Sequence, residues 1–136
     1  MENPKFFDLK GKTAIVTGGA NGIGKASCEM LAAYGAKVVV SDYNLEAAEK
    51  TAGEINDNGG TAIAIDCDVT KDEALVNLVD RTVEEFEAIH ILVNNVGGGG
   101  AGQESPYDIE VSQFKKVFEM NVFSMWRLCQ LVAPRM

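Results

Sequence analysis

The feature that most constrains this chain is a strict alternation of two kinds of segment. Four short apolar runs, Thr13–Thr17 (TAIVT), Lys37–Ser41 (KVVVS), Thr61–Ile65 (TAIAI) and Ile91–Val93 (ILV), are separated by stretches with helical spacing. Runs this short, with no alternating polar face, suit strands buried on both sides. The first intervening stretch sets Ile23, Ala26, Ser27, Met30, Leu31 and Tyr34 on one face, with Gly35 as its C′ residue. Asn44 is placed to N-cap a second helix bearing Leu45, Ala48, Ala52 and Ile55, which Asn58-Gly59-Gly60 then breaks. Thr70 and Glu73 have capping-box spacing at the head of a third, with Leu75, Leu78, Val79, Thr82 and Phe86 on one side. Beyond Gly97–Gly100, a last helix repeats Val111, Phe114, Val117, Phe118, Val122, Met125, Cys129 and Val132 to the end of the chain.

Strands apolar on both faces and separated by helices predict an α/β fold, a doubly wound parallel sheet of Rossmann-like type. On such sheets ligands bind beyond the carboxyl ends of the strands. With 136 residues, no repeat and no linker, residues 1–136 are expected to form one domain.

Composition narrows the partners. Twenty acidic residues against twelve basic ones leave a formal charge of −8. Nucleic acid and anionic membrane surfaces are disfavoured, because both need clustered Lys and Arg. No apolar run reaches the ~20 residues of a membrane span, and the N-terminus lacks the apolar core of a secretory signal. Cys28, Cys67 and Cys129 form no C-x-x-C pair and read as reduced core thiols of a cytoplasmic protein. With His90 the only histidine, no metal site is expected.

The chemistry-bearing signal follows the first strand. Thr17-Gly18-Gly19-Ala20-Asn21-Gly22-Ile23-Gly24 runs from strand into helix with the spacing G-x-x-x-G-x-G. Glycines allow a sharp turn and clear side chains from the path of a pyrophosphate, while the helix start offers free N–H groups and partial positive charge. The bland alternative is a turn that only packs helix against strand; placed between strand and helix, the pattern favours a nucleotide. Asp42 ends the second strand 18 residues after Gly24, near the position of an acidic residue that bonds an adenosine ribose. Its carboxylate would repel a 2′-phosphate, and neither Asn21 nor Tyr43 supplies a compensating cation, so NAD is expected over NADP. The competing reading of Asp42 is a cap for the next helix or turn. Lys25 reads as a solvated surface charge.

Thr17–Gly24 (TGGANGIG), Asp68-Val69, Asn94-Asn95-Val96-Gly97 and Asn121 stand in an order and spacing that resemble the short-chain dehydrogenase/reductase family, from about Leu9 to Met136. LVNNVGGGG (Leu92–Gly100) and NVFSMWRLCQLVAPRM (Asn121–Met136) further resemble bacterial 7α-hydroxysteroid dehydrogenases. The resemblance implies that Gly18, Gly22, Ile23 and Gly24 line the cofactor phosphates. Asp42 and Tyr43 would meet the adenosine ribose, Asp68 and Val69 the adenine, and Asn95 the ribose on the nicotinamide side. Gly97–Gly100 would edge the substrate cleft, with Gly99 against the substrate; their plain reading is a flexible loop. Val96 stands where the family usually has Ala, and His90 where it usually has Asp; His90 reads as a strand-edge residue. Asn121, on the apolar face of the last helix, would kink that helix and hold a water in a proton relay. Its plain alternative is an Asn bonded to local backbone.

The family's chemistry uses a Ser and a Tyr followed four residues on by Lys. Tyr34, Tyr43 and Tyr107 are followed at that distance by Val38, Ala47 and Val111. The chain therefore reads as the cofactor-binding part of a longer enzyme, truncated after the fourth strand and following helix, with an apolar strand edge and an uncovered helix face where homologues form dimers and tetramers. The leading expectation is NAD-dependent hydride transfer at a secondary alcohol, a hydroxysteroid or bile acid. A non-catalytic dinucleotide-binding or oligomerising fragment is the alternative, and an AdoMet-dependent methyltransferase a third.

Overall fold

The computed structural model describes residues 7–99 and 105–136. Its elements run β1 (Thr13–Thr17), α1 (Gly22–Ala33), β2 (Lys37–Asp42), α2 (Leu45–Asp57), β3 (Thr61–Asp66), α3 (Asp72–Phe86), β4 (Ile91–Val93), α4 (Val111–Phe118) and α5 (Ser124–Val132). The four strands form one parallel sheet in the order β3-β2-β1-β4. β1 is central and wholly buried, as its uninterrupted apolar run requires.

The pleat divides the core between two faces. Val16, Val38 and Val40 pack with Cys28, Ala32, Ala48, Ala52 and Ile55 of α1 and α2. Ile15, Val39 and Ile65 point the other way, against Leu75, Leu78, Val79 and Phe86 of α3 and Leu128 and Val132 of α5. The sheet is thus wound on both sides, as the alternation predicts. The five residues assigned to the inner face of α3, Thr82 included, are all buried.

Caps follow local chemistry where the right atoms are free. Asn44 Oδ1 accepts from Ala47 N at 3.1 Å, and Gly35, at φ 99°, closes α1. The capping box expected of Thr70 and Glu73 does not form. The Thr70 hydroxyl instead donates to Asp68 Oδ1 at 2.7 Å, and α3 begins two residues later behind Lys71. α3 ends on Glu87 in the left-handed region, φ 68°, where no glycine is available.

The last helix is not continuous. Between α4 and α5, Glu119–Phe123 forms a π-helical turn. The Asn121 side-chain amide donates to Val117 O at 2.7 Å, and the Ser124 hydroxyl to Met120 O at 2.6 Å, supplying side-chain donors where the backbone register slips. The outward face, with Val111, Phe114, Phe118, Phe123 and Trp126, is exposed. Among the described residues β4 pairs only with β1, so its other side is the expected apolar edge. His90 takes part in this pairing: its N donates to Thr13 O at 2.9 Å and its Nδ1 accepts from Thr13 N at 3.0 Å. Among the described residues no helix is long and apolar enough to cross a membrane.

Candidate dinucleotide site

A cleft of about 420 Å³ lies beyond the carboxyl ends of the strands. Of the residues singled out from the sequence, Gly18, Asp42, Tyr43, Asp68, Val69 and Asn95 line it. Gly22, Ile23 and Gly24 do not line that cavity; they open α1 beside it. Gly99 is exposed and outside it, and Asn121 stands next to Met120, which does line it.

Each glycine of the turn has its own physical reason. Gly18 and Gly22 have φ of 61° and 55°, values that favour glycine. A Cβ at Gly24 would stand 2.0 Å from Gly18 O and 2.6 Å from Asn95 Nδ2, so only glycine fits. A Cβ at Gly22 would meet nothing within 4 Å, which leaves open space at the helix start. Among the described residues the backbone N–H groups of Gly22, Ile23 and Gly24 find no acceptor outside the helix. Free donors at a helix N-terminus beside a glycine turn suit an anion.

The turn is tied to the end of β4 by a residue that the sequence reading passed over. The Thr17 hydroxyl accepts from Asn95 N at 3.0 Å and Val96 N at 3.2 Å, and the Asn95 amide donates to Gly18 O at 3.1 Å. The hint in the sequence is weak, because β1 carries a threonine at each end of its apolar run. Cys67, Thr70, Val96, Gly97 and Met120 complete the lining.

Both acidic candidates are partly occupied by backbone. Asp42 is 7% exposed; its Oδ2 accepts from Ala20 N and its Oδ1 from Asn44 N, each at 3.1 Å. The capping reading of Asp42 is thus realised, and it fixes the carboxylate at the lip of the cleft. Asp68 Oδ1 accepts from the hydroxyl and N–H of Thr70, which hold its carboxyl below the usual range. Its Oδ2 accepts no hydrogen bond among the described residues.

Asn121 reaches across to the glycine loop. Gly98 N donates to Asn121 Oδ1 at 3.0 Å, and Asn121 Nδ2 donates to Gly98 O at 2.9 Å. The side chain is therefore committed to local backbone on both sides. Lys25 is a surface charge, as expected, and pairs with Glu54 on α2 and with Glu29, 3.8 Å away. Two further expectations need correction. The face of α1 that packs on the sheet carries Gly24, Cys28 and Ala32, while Ile23 and Met30 are exposed. Cys28 and Cys67 are buried, their thiols pushed by burial to about 12 and about 11, but Cys129 is exposed, 3.4 Å from Asn94 Nδ2.

The sequence profile of the family described as short chain dehydrogenase matches residues 12–136. The chain belongs to the short chain dehydrogenase family. Among its relatives in this family is the 7α-hydroxysteroid dehydrogenase of Escherichia coli K12, 44% identical over all 136 residues, which are 52% of that protein. Glucose 1-dehydrogenase 2 of Bacillus subtilis is 37% identical over 118 residues, 86% of this chain and 45% of the other. A solved structure of a 7α-hydroxysteroid dehydrogenase complexed with NADH and 7-oxoglycochenodeoxycholic acid superposes with a TM-score of 0.92 at 44% identity, covering 100% of this chain and 52% of that one. This short chain dehydrogenase sequence therefore spans about half the length of the curated relatives it matches.

Proposed function

We propose that this chain is the NAD-binding portion of an oxidoreductase acting on a secondary alcohol or ketone, of hydroxysteroid or bile-acid type. One observation carries the reading: the fold gathers Gly18, Asp42, Asp68, Val69 and Asn95 around one cleft at the head of α1. The residues present fit a dinucleotide. The open space at Gly22 and the unaccepted N–H groups of Gly22, Ile23 and Gly24 would take the diphosphate. The fixed carboxylate of Asp42, beside Tyr43, would accept from the adenosine ribose and repel a 2′-phosphate. Asp68 and Val69 would hold the adenine.

When bound, the nicotinamide would supply hydride exchange with the alcohol carbon. Asn95 would position the ribose on that side, and Gly99 would edge the substrate cleft. Asn121 would act through the loop it holds at Gly98 and through the carbonyls around its π turn, where a water could be kept for proton transfer. The solved relative that carries NADH and a 7-oxo bile acid supports the choice of cofactor and substrate class. The exposed aromatic face of α4 and α5 supports a homodimer or homotetramer, and the buried free thiols of Cys28 and Cys67 suit a reducing cytoplasm.

Calorimetric titration of NADH, NADPH and S-adenosylmethionine tests the reading. NADH is expected to bind at least about tenfold more tightly than NADPH, whose doubly ionised 2′-phosphate would stand against Asp42. Tighter binding of NADPH, or of S-adenosylmethionine alone, would refute it.

A further inference from the structure

Asn-Gly, the dipeptide most prone to cyclise through its backbone, occurs twice in the chain, and the two copies are held very differently. Asn58-Gly59 follows α2 in a locked turn: Asn58 Nδ2 donates to Glu54 O at 2.9 Å and Gly59 N donates to Asn56 O at 3.0 Å. Asn21-Gly22 sits at the head of α1, exposed, with its backbone extended (φ −144°, ψ 166°); Asn21 O accepts from Lys25 N at 3.1 Å, but the side chain makes no hydrogen bond to the helix. Among the described residues Gly22 N has no acceptor, and the space around Gly22 is open. The positive end of α1 also makes that N–H a better proton donor, hence a more available nucleophile once deprotonated.

We propose that Asn21 is a site of self-modification, converted by attack of its neighbour's backbone nitrogen, and that a bound dinucleotide suppresses the conversion. Gly22 N gives its proton to water and bonds to Asn21 Cγ. The Cγ–Nδ2 bond breaks and the side-chain nitrogen leaves as ammonia. Water then opens the resulting imide at either carbonyl, giving Asp or isoaspartate at position 21. No oxidant is involved; one water is consumed and one ammonia released per conversion. The product sets a negative charge at the mouth of the anion site, and isoaspartate also lengthens the backbone where the helix donors must converge. Suppression rests on the dinucleotide reading above, because a diphosphate there would engage Gly22 N.

The experiment ages the full chain at 37 °C and mildly alkaline pH, with and without NADH. Peptide mass spectrometry and isoaspartate-specific enzymatic methylation then locate the conversion, and NADH affinity of fresh protein is measured in parallel. Conversion at position 21 ahead of position 58 is expected, slowed about 100-fold when NADH is present at 100 times its Kd, the factor mass action gives if the complex does not react. N21D, which removes no hydrogen bond to the helix, should fold normally and bind NADH on the order of tenfold more weakly. N21S should show no conversion at that position. Faster conversion at Asn58, or none at Asn21, overturns the proposal. So does unchanged conversion with NADH when fresh protein binds it. If fresh protein binds no NADH, the dinucleotide reading and the suppression fall together, while the site of conversion is still decided by mass.

Discussion

Replacing Thr17 by Val isolates the hydroxyl that joins the glycine turn to the end of β4. The two side chains have nearly the same shape, so the fully packed position, 2% exposed, gains no cavity. What is lost is the acceptor for Asn95 N and Val96 N, together with a long bond that the hydroxyl donates to Val93 O at 3.4 Å. A buried donor left unsatisfied costs about 1–3 kcal/mol. Asn95 and Val96 are half-buried, so water recovers part of this, and about 2–3 kcal/mol in total is expected for T17V. Thr17→Ser keeps the oxygen and loses one methyl, about 1 kcal/mol. Urea denaturation of the two variants beside the unaltered chain measures the difference, with unchanged m-values as the check that only stability moved. NADH affinity should fall in T17V more than in T17S, because the hydroxyl aligns Asn95 with Gly18. A T17V protein as stable as T17S would show that these bonds do not hold the two strand ends together.

Other outcomes follow from the same geometry. Gly24→Ala should destabilise by about 3 kcal/mol and abolish NADH binding, since its Cβ would overlap Gly18 O and Asn95; urea midpoints and calorimetry read both. Glu87→Gly should stabilise by up to about 1 kcal/mol by relieving the left-handed backbone at the end of α3, seen as a higher urea midpoint. Burial raises the thiols of Cys28 and Cys67 from an ordinary 9.0 to about 12 and about 11, so folding favours their protonated forms. Their contribution is complete below about pH 9 and declines as pH rises through the folded values, so stability measured against pH should fall off on the alkaline side. In the folded chain at pH 8, a thiol reagent should label Cys129 and spare Cys28 and Cys67.

Much of the fold was legible because burial on both sheet faces leaves a simple mark. TAIVT and KVVVS could hardly be anything but inner strands, and Leu75, Leu78, Val79, Thr82 and Phe86 share a face that only a helix against the sheet would bury. Local competition was less legible. Thr70 had the spacing to cap α3, but Asp68 draws both its N–H and its hydroxyl into a local turn, and the helix starts only behind Lys71. The π turn left no clear trace, since the apolar pattern of Val117, Phe118, Val122 and Met125 tolerates a one-residue slip; only Asn121, a poor helix former, marked the place. In the site, the glycine spacing and Asp42 stood out, whereas Thr17 was hidden among residues that favour strands in any case. Glu29, four residues on, was a visible partner for Lys25, whereas Glu54 lies 29 residues on, beyond what periodicity along one helix can show.

The reciprocal pair of hydrogen bonds between Asn121 and Gly98 fastens the two ends of a 23-residue excursion with a single side chain. Whatever happens to the chain between those anchors, the lip of the cleft is pinned from outside it. Gly98 is thereby tied to the middle of the last helix, so any shift of the π turn at Glu119–Phe123 would carry the end of β4 and the adjoining side of the cleft with it.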